Sequence, residues 1–490
     1  MDNRTHEAAD VRSELARLVD LSAAAASRRV GRHSGGRQRR VRDPAVIRPM
    51  RIVQGIGWYY PESWGGTEIY VAGLSRRLRA AGHEVVVAAP DQSHAIERLY
   101  EHDGIRVYRY PTPAEPTRAE AQGSTVVRGA ERFHRWLEAF RPDVVHLHTF
   151  VTGLGLAEVD AARAAGARVI ATTHAASLGF ICARGTMMQW GSEPCNGIAV
   201  ERKCAACMLD HHGVPRAMAS LVAAVPSPLA GLARHLPGRA GAAFALPAFI
   251  RDQQARQARL LGSVDRFVLL TDWARRTVAA NGAPADKIAV NRLGVAHRPS
   301  PPKPGPDLRP TTAPVRVAYV GRFDPIKGVE DFVRALTSLS AGLPFRAELV
   351  GPIFTPGERR IVETLRRLIG VDPRITIANP IPHARMAQAL AGLDVLCCPS
   401  LAAEGGPTVA IEAHAVGTPV IGTRIGGLAE LVTDGVNGRL VPPGDWRALA
   451  DAIRSMVVDP AGTIDRWRRV LTPVRTLDDV TRDYLALYAA

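Results

Sequence analysis

The chain is 490 residues long, 46% hydrophobic and 22% charged. That is more than one hydrophobic core usually holds, and it excludes a fibrous, collagen-like or wholly disordered protein. The formal net charge of +15 comes from 62 basic against 47 acidic residues, and only four of the basic residues are lysine, a bias most simply set by codon usage. Such a charge suits phosphorylated ligands, an anionic membrane face or nucleic acid, and does not choose among them.

Residues 1–49 hold 11 arginines and 6 acidic residues, with two adjacent glycines and no apolar periodicity through Arg28 to Arg42. A segment of this kind buries too little to offset the entropy of ordering, so it reads as a disordered basic tail. Met50 then opens a strand pattern, Arg51-Ile52-Val53-Gln54, and reads as the true start. The tail is then an over-extended reading frame or, on the competing view, a solvated or membrane-touching arm. The N-terminus offers no apolar core for a secretory signal, and no uncharged apolar run reaches about 18 residues. The longest, Ala217 to Ala233, is interrupted by Pro226 and Pro228. The expected address is the cytoplasm.

From residue 50 short apolar runs alternate with longer helical patterns, which predicts a parallel α/β architecture. The strands expected in the first half are Val85–Ala88, Val144–Leu147, Val169–Ala171, Phe267–Leu270 and Ile288–Val290. A helix is expected from Thr67 to Ala81, stopped by Gly82. Residues 299–314 contain seven prolines and read as a linker. The alternation resumes with Val315–Val320, Ala347–Val350, Val395–Cys397 and Pro419–Ile421. The predicted organisation is a first Rossmann-like domain at 50–298 with a cysteine-rich insertion at about 179–212. It continues with a linker at 299–314, a second α/β domain at 315–470 and a C-terminal helix at 471–490. Open parallel sheets bind ligands beyond the carboxyl ends of their strands, so a cleft between the halves is the expected site.

The stretch Gly321-Arg322-Phe323-Asp324-Pro325-Ile326-Lys327-Gly328 follows the first strand of the second half. Its glycines permit close backbone approach and two cations can neutralise a diphosphate, although a solvated basic loop has the same composition. The stretch Pro399 to Ala413 carries Glu404 after a strand and Glu412 within the next helix. Both can accept hydrogen bonds from a polyhydroxylated ligand, and either one alone would more often be a capping or exposed residue. A third stretch, Gly417 to Asp445, has its glycines where turns follow strands. In the first half Gly65-Gly66-Thr67-Glu68 opens a helix. Asp143-Val144-Val145-His146-Leu147-His148 puts His148 at a strand end where the cleft should lie. His146 reads as structural and His174 as a weaker lining residue.

Together the three stretches of the second half resemble the donor-binding half of family 4 retaining glycosyltransferases, which have the two-Rossmann GT-B fold. The likeness runs from about Val315 to Asp445. It implies two Rossmann-like domains facing each other across a cleft, Arg322 and Lys327 on the nucleotide diphosphate, Glu404 on the donor sugar and Glu412 on the ribose. His148 matches the family histidine near the transferred sugar, and Gly65 and Gly66 match its glycine loop. Pro407 stands where many members have glycine, which removes one backbone N–H. No cofactor is implied for transfer, because the two cations stabilise the leaving group. The implied partners are a nucleotide-sugar donor and a glycan or lipid-linked acceptor, with peripheral contact to an anionic membrane and no nucleic acid. A nucleotide-sugar epimerase of similar fold and a basic nucleic-acid-binding protein are the rival readings.

Cys182, Cys195, Cys204 and Cys207 fall within 26 residues, separated by 12, 8 and 2 positions. Cytoplasmic cysteines so gathered more often bind metal than form disulfides, and four thiolates would complete a tetrahedral zinc site. An iron–sulfur cluster uses the same ligands, and free thiols or a disulfide are the remaining alternative. Cys397 and Cys398 lie in an apolar strand and read as core.

Overall fold

The computed structural model describes residues 48–63, 65–121, 123–178, 181–296 and 313–490. The expected tail, up to residue 47, and nearly all of the expected linker, 299–312, lie outside them. The strands in chain order are β1 (Arg51–Gly55), β2 (Glu84–Asp91), β3 (Arg98–His102), β4 (Ile105–Pro111), β5 (Val144–Leu147) and β6 (Arg168–Thr172). A short hairpin, β7 (Met188–Gln189) and β8 (Glu193–Pro194), precedes β9 (Arg266–Leu269) and β10 (Ile288–Val290). The rest are β11 (Val315–Val320), β12 (Phe345–Val350), β13 (Ile375–Ala378), β14 (Val395–Cys398), β15 (Val420–Thr423) and β16 (Gly438–Val441).

Every strand expected from the apolar runs is present. The expected helix runs Gly66–Ala80 and ends before Gly82, whose φ of +90° an L side chain would resist. The antiparallel pair β3–β4 and the strands β13 and β16 had no clear signal, because β3 and β13 alternate polar residues and β16 is short.

The described residues divide into two compact units, those of 48–173 with 259–268 and 484–490, and those of 174–258 with 269–296 and 313–483. This division differs from the expected one at the proline-rich segment: the cysteine segment groups with the second unit. Locally, the Ala403 N–H donates to the Thr186 carbonyl at 2.9 Å. The Glu430 carboxylate accepts from the N–H groups of Asp272 and Trp273.

In the first unit the strands are hydrogen-bonded in the order β9–β6–β5–β1–β2–β4–β3, all parallel except β3. In the second unit a fully parallel sheet has the order β13–β12–β11–β14–β15–β16. Both faces of that sheet are covered, as parallel sheets require. Val315, Val317 and Tyr319 of β11 pack with Phe332, Leu336 and Ile453 on one face, while Ala318 packs with Leu396 and Ala410 on the other. Each sheet has a position where the chain's winding reverses direction, between β1 and β5 in the first and between β11 and β14 in the second. Ligands of such sheets bind beyond the strand ends at that reversal. No helix among the described residues is long and apolar enough to cross a membrane.

Candidate donor and sugar site

The second unit's reversal point carries the two stretches singled out by sequence. β11 ends at Val320, and Gly321 to Gly328 follows as a loop with a 3₁₀ turn, Pro325–Lys327, whose Ile326 N–H is capped by the Asp324 side chain at 3.1 Å. β14 ends at Cys398, and the next loop is tied to that turn: Leu401 N–H donates to the Ile326 carbonyl at 2.7 Å. Gly328 allows the approach. Its φ is +68°, and a Cβ there would sit 1.9 Å from the Pro399 carbonyl oxygen.

The tie brings two of the predicted residues together. Lys327 Nζ donates to both carboxylate oxygens of Glu404, at 2.6 and 2.8 Å. Arg322 projects from the same loop with its side chain 59% exposed, and its nearest acid is Asp324 at 3.7 Å. The backbone of Glu404 is fixed from below by a glycine pair. Gly427 N–H donates to the Glu404 carbonyl at 2.8 Å, and a Cβ on Gly426 would lie 2.5 Å from that same oxygen. This is a packing role for glycines that read as ordinary turn residues.

Glu412 lies on the helix Thr408–Ala415. Burial pushes its carboxyl above the usual range, partly offset by His383 at the start of the helix His383–Ala391. His383 had no sequence signal, since a lone histidine after Pro382 is unremarkable. Pro407 occupies the cap position just before the helix, so the missing N–H is at the cap and not within the first turn.

In the first unit His148 follows β5, held by its N–H to the Gly55 carbonyl at 2.8 Å, and it is fully buried. Its Nε2 lies 2.6 Å from Gln54 Oε1. The Gln54 amide donates to the Tyr488 hydroxyl at 3.3 Å, which lies 2.7 Å from His146 Nδ1. His146 Nε2 is 2.8 Å from Thr172 Oγ1, which is 3.0 Å from the Tyr484 hydroxyl. We assign the protons so that each group is satisfied in turn: His148 Nε2–H donates to Gln54, Tyr488 to His146 Nδ1, and His146 Nε2–H to Thr172. His146 is thus structural, as its place on the strand suggested. Gln54, Tyr484 and Tyr488 were missed. A glutamine inside the apolar run of β1 was the available signal, whereas two tyrosines over 300 positions away gave none.

Gly65 caps the helix Gly66–Ala80, and a Cβ on it would meet Glu68 Oε2 at 2.5 Å. Glu68 itself accepts from Ser63 Oγ at 2.5 Å. His174 is half-buried, and desolvation lowers its pKa to about 4, leaving the imidazole neutral at pH 7.

The four clustered cysteines line one small cavity of about 30 Å³ beside the helix Glu201–His211. Cys182 Sγ accepts from Met187 N–H at 3.3 Å and Cys207 Sγ from Trp190 N–H at 3.4 Å. Lys203 Nζ lies 3.8 Å from Cys195 Sγ. Yet no group of three or more His, Cys, Asp or Glu among the described residues is placed to hold a metal ion. The expected four-thiolate centre is not assembled among the described residues, where Cys182, Cys195 and Cys207 each have a polar neighbour of their own. Cys397 is core, and burial pushes its thiol well up.

A parallel unit wound in both directions from a central reversal, with Lys327 and Glu404 paired there, defines a doubly wound α/β protein. Residues 314–459 match the family described as glycosyl transferases group 1, and residues 65–294 match the glycosyl transferase 4-like domain. The chain belongs to this glycosyltransferase family, with the GT-B fold. It is 32% identical over 225 residues to a D-inositol 3-phosphate glycosyltransferase of Nocardia farcinica, covering 44% of this chain and 49% of that one. A protein of the same description from Kribbella flavida is 33% identical over 221 residues, covering 41% and 52%. The chain thus spans about half the length of the curated relatives it matches. Among solved structures, sucrose-phosphate synthase from Thermosynechococcus elongatus aligns with a TM-score of 0.61 at 21% identity, covering 90% of this chain and 98% of that one. Anabaena Alr3699/HepE in complex with UDP and glucose aligns with a TM-score of 0.56 at 14% identity, covering 90% and 99%.

Proposed function

We propose that the protein is a retaining glycosyltransferase. It moves a sugar from a nucleotide-sugar donor to a glycan, lipid-linked or small-molecule acceptor in polysaccharide or glycoconjugate biosynthesis, at a membrane face. The observation that carries this reading is the Lys327–Glu404 pair beside the exposed Arg322 at the second sheet's reversal point. A diphosphate arriving there competes with Glu404 for Lys327. Lys327 then turns to phosphate, and Glu404 is released to accept hydrogen bonds from the donor sugar. Arg322 and Lys327 stabilise the charge that develops on the departing diphosphate, so transfer requires no cofactor. Glu412 would accept from the ribose hydroxyls. His148 would serve the transferred sugar, oriented by Gln54, and the helix start at Gly65 and Gly66 admits close backbone approach. The acceptor attacks from the face the diphosphate leaves, which retains the anomeric configuration.

Uridine diphosphate glucose is the first donor to test, since HepE is seen with UDP and glucose, and D-inositol 3-phosphate belongs in the acceptor panel. Purified protein is incubated with UDP-, GDP- and ADP-sugars, and the anomer of any product is read by NMR. Cleavage of one donor class with retained configuration is expected. An inverted product, or no cleavage of any donor, rejects the reading.

Structural zinc on Cys182, Cys195, Cys204 and Cys207 is a finer part of the proposal. It rests on all four cysteines lining one cavity. Binding would draw the segment together, as metal binding coupled to folding does. Elemental analysis of protein purified without added metal should find about one zinc per chain. Iron with sulfide would instead indicate a cluster, and neither metal removes this part of the reading.

A further inference from the structure

Three short helices, Arg216–Val222, Ser227–Leu232 and Gly238–Phe244, are amphipathic the wrong way round for a folded interior. Their buried positions are Ala219, Ser227, Ala230 and Gly241, all small. Their large apolar side chains face out: Leu221 is 74% exposed, Leu232 69%, Leu229 60% and Met218 56%, with Leu236 and Phe244 also exposed. Burial of apolar area drives folding, so a sequence selected only to fold would place these the other way. Met218 and Leu221, like Leu229 and Leu232, are spaced three apart, which puts each pair on one helix face.

The charge of the segment is equally one-sided. From His211 to Arg251 the chain has no Asp or Glu, while it carries Arg216, Arg234, Arg239 and Arg251. Three of these lean on acids just outside the segment: Arg216 on Asp210 at 3.5 Å, and Arg234 and Arg251 on Asp252, the latter at 3.7 Å. Arg239 is exposed with no ion-pair partner among the described residues. The helix Arg216–Val222 meets the helical stretch Ser227–His235 at 94°. At roughly 1.5 Å per residue neither approaches the length that spans a bilayer. Short helices with an exposed apolar face set among arginines lie in the interface of an anionic membrane, their leucines among the acyl chains and their guanidinium groups at the phosphates.

We propose that residues 216–244 form a docking surface for an anionic lipid bilayer. The proposal builds on the transferase reading, whose lipid-linked acceptor it would bring within reach, but binding itself does not require transfer. The test is co-sedimentation of the full chain with vesicles of phosphatidylcholine and phosphatidylglycerol in equal parts, against vesicles of phosphatidylcholine alone. The wild type should sediment with the anionic vesicles and hold a measurable fraction at about 0.5 M salt, where purely electrostatic binding by the basic tail is screened. The double variant Leu229→Ser with Leu232→Ser should bind at least tenfold more weakly. Both side chains are exposed, so its thermal midpoint should match the wild type. Equal binding by variant and wild type, or no binding by either, overturns the proposal. So does a dimer of the wild type that the variant loses, which would assign the face to a second copy of the chain. Donor cleavage in solution is measured alongside. Cleavage without vesicle binding rejects this surface and leaves the transferase reading standing, and vesicle binding without cleavage does the reverse.

Discussion

Lys327 and Glu404 show how a site residue acquires its role from its partner. The two cations at 322 and 327 were readable as a phosphate pair, but the loop alone did not say that one would rest on a carboxylate 77 positions away. On the proposed reading, removing either cation takes away charge that stabilises the departing diphosphate. Arg322→Ala and Lys327→Ala should each lower kcat/KM by about 10²–10³-fold, the effect of losing one charge-stabilising group, while the unfolding midpoint stays near that of the wild type. Near-normal turnover in both variants would reject the assignment.

A second residue-scale effect concerns two histidines. Burial lowers the pKa of both His174 and His414 to about 4. Above the unfolded pKa of about 6.5 both states are neutral, and there is no contribution. As pH falls from about 6.5 towards 4 the unfolded chain binds protons that the folded chain refuses, so stability is lost across that window. His414→Gln should flatten the fall in urea midpoint between pH 6.5 and 4, and a slope as steep as the wild type's would refute this.

Among elements, the loop joining β11 to its helix depends on Gly328. A methyl group there clashes with the Pro399 carbonyl and forces a left-handed backbone on an L residue. Gly328→Ala should cost at least about 2 kcal/mol in denaturant unfolding. It should also separate the Lys327 turn from the Glu404 loop, so donor affinity falls with stability. An alanine variant of full stability and affinity would show that the two loops do not need this contact. The elements themselves were largely readable where side chains alternate cleanly or run uniformly apolar. They were not readable where burial is partial, as in β3 and β13, whose patterns mix intermediate and exposed positions.

At the scale of the whole molecule, the last residues of the chain belong to its first unit. Asp479 and Thr476 start the final helix, Leu477–Ala489, by reciprocal capping, with the Asp479 carboxyl held down to about 2 by those hydrogen bonds. That helix delivers Tyr484 and Tyr488 to Thr172, His146 and Gln54. Tyr488→Phe leaves the Gln54 amide and His146 Nδ1 without their buried partner. It should cost about 1–3 kcal/mol in urea unfolding, and unchanged stability would show that these groups find other partners.

The sequence by itself determined the two α/β halves, because strand and helix periodicities are local properties of the chain. It also singled out Arg322 with Lys327 and Glu404 with Glu412, because the spacing of each pair is set within a single loop–helix unit. Tertiary structure alone decided that Lys327 pairs with Glu404 and that Tyr488 holds His146 of β5. It also decided that the cysteine segment groups with the second unit and that the leucines of residues 216–244 stay outside. Each of these depends on which distant groups are brought within hydrogen-bonding or van der Waals range. No window of sequence contains both partners.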